Sequence, residues 1–193
     1  MSVTSGESVY RNLLEEKGYK LALFNKKIKM KSPDFKVFFN EELLFYCEVK
    51  DIEDLDDKYF QEDLEIPDEI TIILNKIREA NKQFKSVNPN HAFPNVLAFH
   101  CKRIGMDAND LHDTILGYID YSDGHKLYRR HRGPIENRLS EESIIIDTYI
   151  FHHDGIDQYS CIYITSDGFY GETIHKLNLL EFKNPWGEKE DNN

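Results

Sequence analysis

Two apolar runs, Phe35–Phe39 and Leu43–Val49, stand on either side of the polar break Asn40-Glu41-Glu42. Both runs are β-rich, and so short a break between them predicts a hairpin. In the second run Leu43, Phe45, Cys47 and Val49 fall on one side, and Leu44, Tyr46, Glu48 and Lys50 on the other, because side chains alternate along a strand. Most of both sides is apolar, so the run predicts a central strand rather than an edge. Glu48 and Lys50 then project together from its end. Asp34, which opens the preceding strand, can reach the same spot.

Helical spacing appears before and after this hairpin. Val9, Leu13 and Leu14, with Tyr10 alongside, predict a helix over Glu7–Lys17 that stops at Gly18. A strand over Tyr19–Phe24 and a basic turn over Lys26–Lys31 lead to Ser32-Pro33. Asp51 to Glu69 reads as a solvated acidic connector. Ile70, Ile73, Leu74, Ile77, Ala80 and Phe84 predict a helix over Asp68–Lys85, which Asn88-Pro89-Asn90 breaks before a buried strand over Asn95–Cys101. Strand, strand, helix, strand is an α/β order. Further on, Ala108–Leu116 predicts a short helix capped by Asp107, Asn109 or Asp110, and Ile144–Phe151 and Cys161–Thr165 predict strands. His152-His153-Asp154-Gly155 reads as the turn between those strands. It lacks a His-x-His or His-x3-His pair, so metal binding is not expected there.

Composition narrows the class. A chain of 193 residues suits one domain, and 40% apolar with 12% aromatic residues indicates a folded protein. No apolar run reaches membrane-span length, and the polar, acidic opening residues do not read as a signal peptide. Cys47, Cys101 and Cys161 lie in apolar runs without metal spacing, as small buried residues do in a reducing compartment. A cytoplasmic protein with no membrane partner is expected. The net charge of −11 counts against a generic nucleic-acid binder. Its distribution does not, because lysines crowd between Lys17 and Lys36 while acids dominate from Glu41 to Glu69. Leu127–Arg132 is a second basic stretch. Each basic stretch fits a phosphate backbone or a solvated loop.

Two carboxylates beside one lysine suit a hard divalent cation with an adjacent general base or charge clamp. Pro33-Asp34, thirteen intervening residues, then Glu48-x-Lys50 resembles the signature of the restriction-endonuclease-like nucleases, the PD-(D/E)xK superfamily. The resemblance covers Glu7 to about Cys101. It implies a mixed central sheet flanked by helices, with 102–183 as an elaboration and 184–193 as a polar tail. It implies metal-dependent hydrolysis of phosphodiester bonds in nucleic acid, with DNA the expected substrate. Asp34, Glu48 and the Val49 carbonyl would hold Mg²⁺ or Mn²⁺, and Lys50 would orient water or stabilise developing charge. Gln83 would position water or phosphate, with Lys82 or Arg78 as phosphate contacts. Glu7 lies eleven residues before Gly18, the spacing of a metal-ligating glutamate in the archaeal Holliday-junction resolvase branch. It equally suits a first-turn glutamate favoured by the helix dipole, with Glu15 and Glu16 as fallback ligands. Paired cuts in two strands would require a homodimer. The alternative is a non-catalytic binding module that retains the fold, in a mobile-element or phage-defence complex. The acidic balance favours that alternative, and the intact Asp, Glu, Lys set opposes it.

Overall fold

The computed structural model describes residues 4–24, 32–54, 68–122, 127–131, 145–154 and 159–163. The basic turn Lys26–Lys31, most of the acidic connector and the tail therefore lie outside the described residues. The first helix, α1, spans Ser5–Glu16. It starts before Glu7 because the Thr4 hydroxyl accepts the Glu7 N–H at 3.2 Å and caps it. Gly18, at φ 85°, follows its end in the left-handed region where a Cβ would be strained.

Strand β1 (Lys20–Leu23) leads to the hairpin of β2 (Phe35–Phe39) and β3 (Glu42–Ile52). Asn40 and Glu41 turn the hairpin with φ of 48° and 71°. A consecutive left-handed pair matches the twist of the flanking strands, so Glu42 joins β3 rather than the turn. Helix α2 (Glu69–Val87) is capped by Asp68, whose carboxylate accepts the Thr71 N–H at 2.8 Å. Next come β4 (Asn95–Cys101) and α3 (Ala108–Leu116), where Asp107 and Asp110 form a reciprocal capping box. The chain continues through β5 (Tyr118–Ser122), β6 (Leu127–His131), β7 (Thr148–His153) and β8 (Tyr159–Tyr163).

The main sheet has six strands in the order β1-β2-β3-β4-β7-β8, and β5 and β6 pair separately. Strands β3, β4 and β7 run parallel at its centre, while β1–β2, β2–β3 and β7–β8 are antiparallel pairs. This is a mixed α/β sheet flanked by helices. The basic stretch from Leu127 thus begins as a strand rather than a loop, with Asp120 opposite Arg129 across the ladder. No helix among the described residues is long and apolar enough to cross a membrane.

The third strand of the parallel run corrects one expectation. β7 begins at Thr148, not Ile144, and carries His152 and His153 inside the ladder, opposite His100 and Cys101. The segment before it is held by side chains: Asn81 Oδ1 accepts the Ile145 N–H, and Asn95 Nδ2 donates to the Ile145 carbonyl. Pairing with β4 on one side and β8 on the other outweighs the turn signal of Asp154-Gly155, so Asp154 alone of the described residues sits at the turn.

Strand alternation divides the core into two layers. Tyr10 and Leu14 of α1 pack with Phe45, Cys47, Val49, Val96, Ala98 and Ile150. Ile73, Ile77, Ala80 and Phe84 of α2 pack with Tyr46, Ile52, Leu97, Phe99 and Tyr149 on the opposite face. Glu48 and Lys50 share the parity of Tyr46 and Ile52, so β3 delivers them to the α2 face.

Candidate metal centre

The geometry of the centre follows from the way β2 begins. The Asp34 N–H donates to the Cys47 carbonyl at 3.1 Å. Pro33 has no N–H to extend that ladder, and Asp34 Oδ2 takes the Val49 N–H at 2.9 Å in a buried hydrogen bond. The Asp34 carboxylate is thereby fixed against β3, one residue from Glu48. A strand residue's N–H and C=O leave the same edge, so the Val49 carbonyl also points toward the Asp34 side.

Glu48 is 2% exposed. One of its oxygens, Oε1, lies 2.8 Å from Lys50 Nζ. The other, Oε2, is buried and accepts no hydrogen bond among the described residues. Burial pushes the Glu48 carboxyl from its ordinary 4.5 up to about 8; Asp34 adds to the rise, while Lys50 and the Gln83 amide oppose it. A buried carboxylate oxygen without a donor costs of order 1–3 kcal/mol. That cost is removed by a proton or by a cation.

Helix α2 completes the cluster. Gln83 Oε1 accepts from Lys50 Nζ at 2.8 Å, and Gln83 Nε2 donates to the Ser32 carbonyl at 3.1 Å. One amide therefore holds the lysine with one end and the segment leading to Asp34 with the other. This differs from the expected role, since both ends of Gln83 are engaged within the chain rather than turned to water or phosphate. Glu79, one helical turn earlier, lies 3.4 Å from Lys50 Nζ through Oε2 and is more than half exposed.

The structure thus brings Asp34, Glu48, Lys50 and Gln83 together. Glu7 is buried in the first turn of α1, a helix that packs on the other face of β3. Glu15 and Glu16 are exposed at the far end of that helix, and Arg78 and Lys82 are exposed on α2. Among the described residues no set of three His, Cys, Asp or Glu side chains forms a ready metal cage. Two carboxylates fit a cation that keeps part of its water shell, as Mg²⁺ does, rather than an all-protein cage. The orphaned Glu48 Oε2 beside Asp34 gives such an ion a position to fill.

A second polar cluster lies on the α1 face, at the C-terminal ends of the parallel strands. Asp51, His100 and His152 are register partners across β3, β4 and β7. Asp51 Oδ1 accepts from Gly6 N at 2.9 Å and from Ser5 Oγ at 3.3 Å, and it contacts His100 Nδ1 at 2.8 Å. Burial would raise the Asp51 pKa, but hydrogen bonds from Thr4, His100 and Gly6 outweigh it and hold the carboxyl below its ordinary value. The His100 and His152 rings stack at 5.5 Å. Parity offered a signal for this row: each residue lies two positions beyond a buried apolar residue, Val49, Ala98 or Ile150, on the same side of its strand.

Comparison of the chain with family models, with curated proteins and with solved structures finds no match.

Proposed function

We propose that the chain is a Mg²⁺- or Mn²⁺-dependent nuclease of the restriction-endonuclease-like type, acting on DNA. The observation that carries this reading is the buried Glu48 Oε2 beside Asp34, without a donor among the described residues, with Lys50 2.8 Å from the other Glu48 oxygen. A cation there would supply Lewis acidity, polarising a phosphate oxygen and making a water molecule a stronger acid. The roles of the chain's own residues follow. Asp34, fixed by the Val49 N–H, and Glu48, once ionised, would supply two carboxylate ligands, and the Val49 carbonyl a neutral one. Lys50 sets an ammonium where negative charge develops on the phosphate, which matters most in a water-poor site. Gln83 holds that ammonium in place and ties α2 to the Ser32–Asp34 segment. The succession of β2–β3 hairpin, α2 and β4 supports the same family reading.

The test is cleavage of linear, single-stranded and branched DNA, and of RNA, by purified protein with Mn²⁺ or Mg²⁺. Cleavage is expected with DNA, and it should be lost with EDTA and in Asp34→Ala, Glu48→Ala and Lys50→Ala. A wild-type protein that binds nucleic acid but leaves every substrate intact would make it a binding module instead.

A further inference from the structure

Lys50 has three acceptors around one ammonium: Glu48 Oε1 and Gln83 Oε1, each at 2.8 Å, and Glu79 Oε2 at 3.4 Å. Two of these are carboxylates of contrasting environment. Glu48 is almost wholly buried, whereas the Glu79 side chain is 56% exposed. A divalent cation on Glu48 changes the balance among them. The carboxylate that now neutralises Lys50 becomes a ligand of a dication, and the ammonium faces like charge at close range. Movement of the ammonium relieves that repulsion. Glu79 lies within ion-pair distance, and Gln83, four residues along the same helical face, keeps its amide oxygen on Nζ during a small shift.

We propose that Glu79 is a positioning residue that receives Lys50 when the cation binds: the ammonium leaves Glu48 Oε1 and closes onto Glu79 while Gln83 retains it. The inference rests on the metal reading of Asp34 and Glu48. It gives α2 a defined part in the site. Glu79 and Gln83 form a cradle that holds the lysine beside the cation, so that it is available to a phosphate. Glu79 then favours cation binding indirectly, by accepting the competitor for Glu48.

Manganese binding without substrate tests this, with free Mn²⁺ followed by electron paramagnetic resonance. Glu79→Gln should weaken Mn²⁺ binding about threefold to fivefold, the scale of one half-exposed ion pair, and Glu79→Asp should restore part of the loss. Lys50→Ala should tighten binding, because the competing ammonium is gone. In the Lys50→Ala background Glu79→Gln should have almost no further effect, since the two residues act as a coupled pair. An equal loss from Glu79→Gln in both backgrounds would show that Glu79 acts on the ion by its charge alone, and would overturn the proposal while leaving the metal reading intact. A wild-type protein that binds no Mn²⁺ would remove the metal reading and this inference with it.

Discussion

The two faces of β3 carry carboxylates three positions apart and treat them in opposite ways. On the α1 face Asp51 accepts from Gly6, Ser5 and His100, and its carboxyl is held below the ordinary range. That arrangement fastens the start of α1 to the ends of the parallel strands and stabilises the fold. On the α2 face Glu48 is more deeply buried, one of its oxygens has no donor among the described residues, and its carboxyl is pushed up to about 8. An ionised group in that position works against folding. Residues that lower stability where a satisfied alternative is chemically simple are typical of sites under functional demand. The contrast separates a polar cluster that serves the fold from one whose buried carboxylate oxygen fits the proposed cation.

The largest expected effect comes from truncating the α2-face cluster. Asp34→Ala, Glu48→Ala and Lys50→Ala should each lower Mn²⁺-dependent cleavage by at least about 100-fold, the scale of losing one preorganised electrostatic group. Asp51→Asn should retain cleavage per folded molecule and lower the melting temperature instead. A nuclease assay paired with calorimetry separates the two outcomes, and cleavage lost only in Asp51→Asn would reverse the assignment of the faces.

Gly6→Ala tests the α1 face more sharply. A Cβ at Gly6 would stand 2.6 Å from Asp51 Oδ1, 2.9 Å from His100 Cβ and 3.0 Å from Val49 Cγ1. Such overpacking costs roughly 1–3 kcal/mol, which denaturant unfolding would register as a lower midpoint with an unchanged slope. A variant as stable as the wild type would mean that α1 is less closely seated than its hydrogen bonds imply.

The faces should also respond to pH with opposite signs. The Glu48 carboxyl ionises near 4.5 when unfolded and at about 8 when folded. Between those values the folded chain holds the extra proton, so metal-free stability falls as pH rises through that window, by at most about 1.4 kcal/mol per pH unit, and levels off above it. Glu48→Gln should remove this slope. Asp51, with its folded pKa lowered, contributes stability that is present above its ordinary 3.8 and lost as pH falls through the lowered value. Urea unfolding across pH resolves both limbs, and a Glu48→Gln variant with the wild-type slope from pH 5 to 8 would place the raised carboxyl elsewhere.

The hairpin and α2 were legible because period and punctuation agreed there. Apolar residues on both sides gave β3 its central place, and Asp68 with Asn88 bounded the helix. The meeting of Asp34, Glu48 and Lys50 was legible for a related reason: parity fixes where Glu48 and Lys50 point, and a hairpin brings Asp34 alongside, whereas the place of Gln83 came from the family resemblance. The α1-face row depends on register between strands 49 and 52 residues apart in sequence, Asp51 with His100 and His100 with His152. Local pattern carries no such information. β7 was misplaced for the same reason, because its ladder partners decide where it starts. The end of β3 at Ile52 rather than Val49 likewise reflects pairing with Cys101.

The most direct measurement of the central claim is the melting temperature of wild-type protein with and without Mn²⁺, beside Asp34→Asn, Glu48→Gln and Asp154→Asn. An ion that binds only the folded chain stabilises it by about 2.7 kcal/mol at one hundred times its dissociation constant. The account predicts a clear rise for wild type and Asp154→Asn, and loss of most of that rise in Asp34→Asn and Glu48→Gln. A rise that survives in Asp34→Asn and Glu48→Gln but vanishes in Asp154→Asn would contradict it and move the metal to the His100–His152 face.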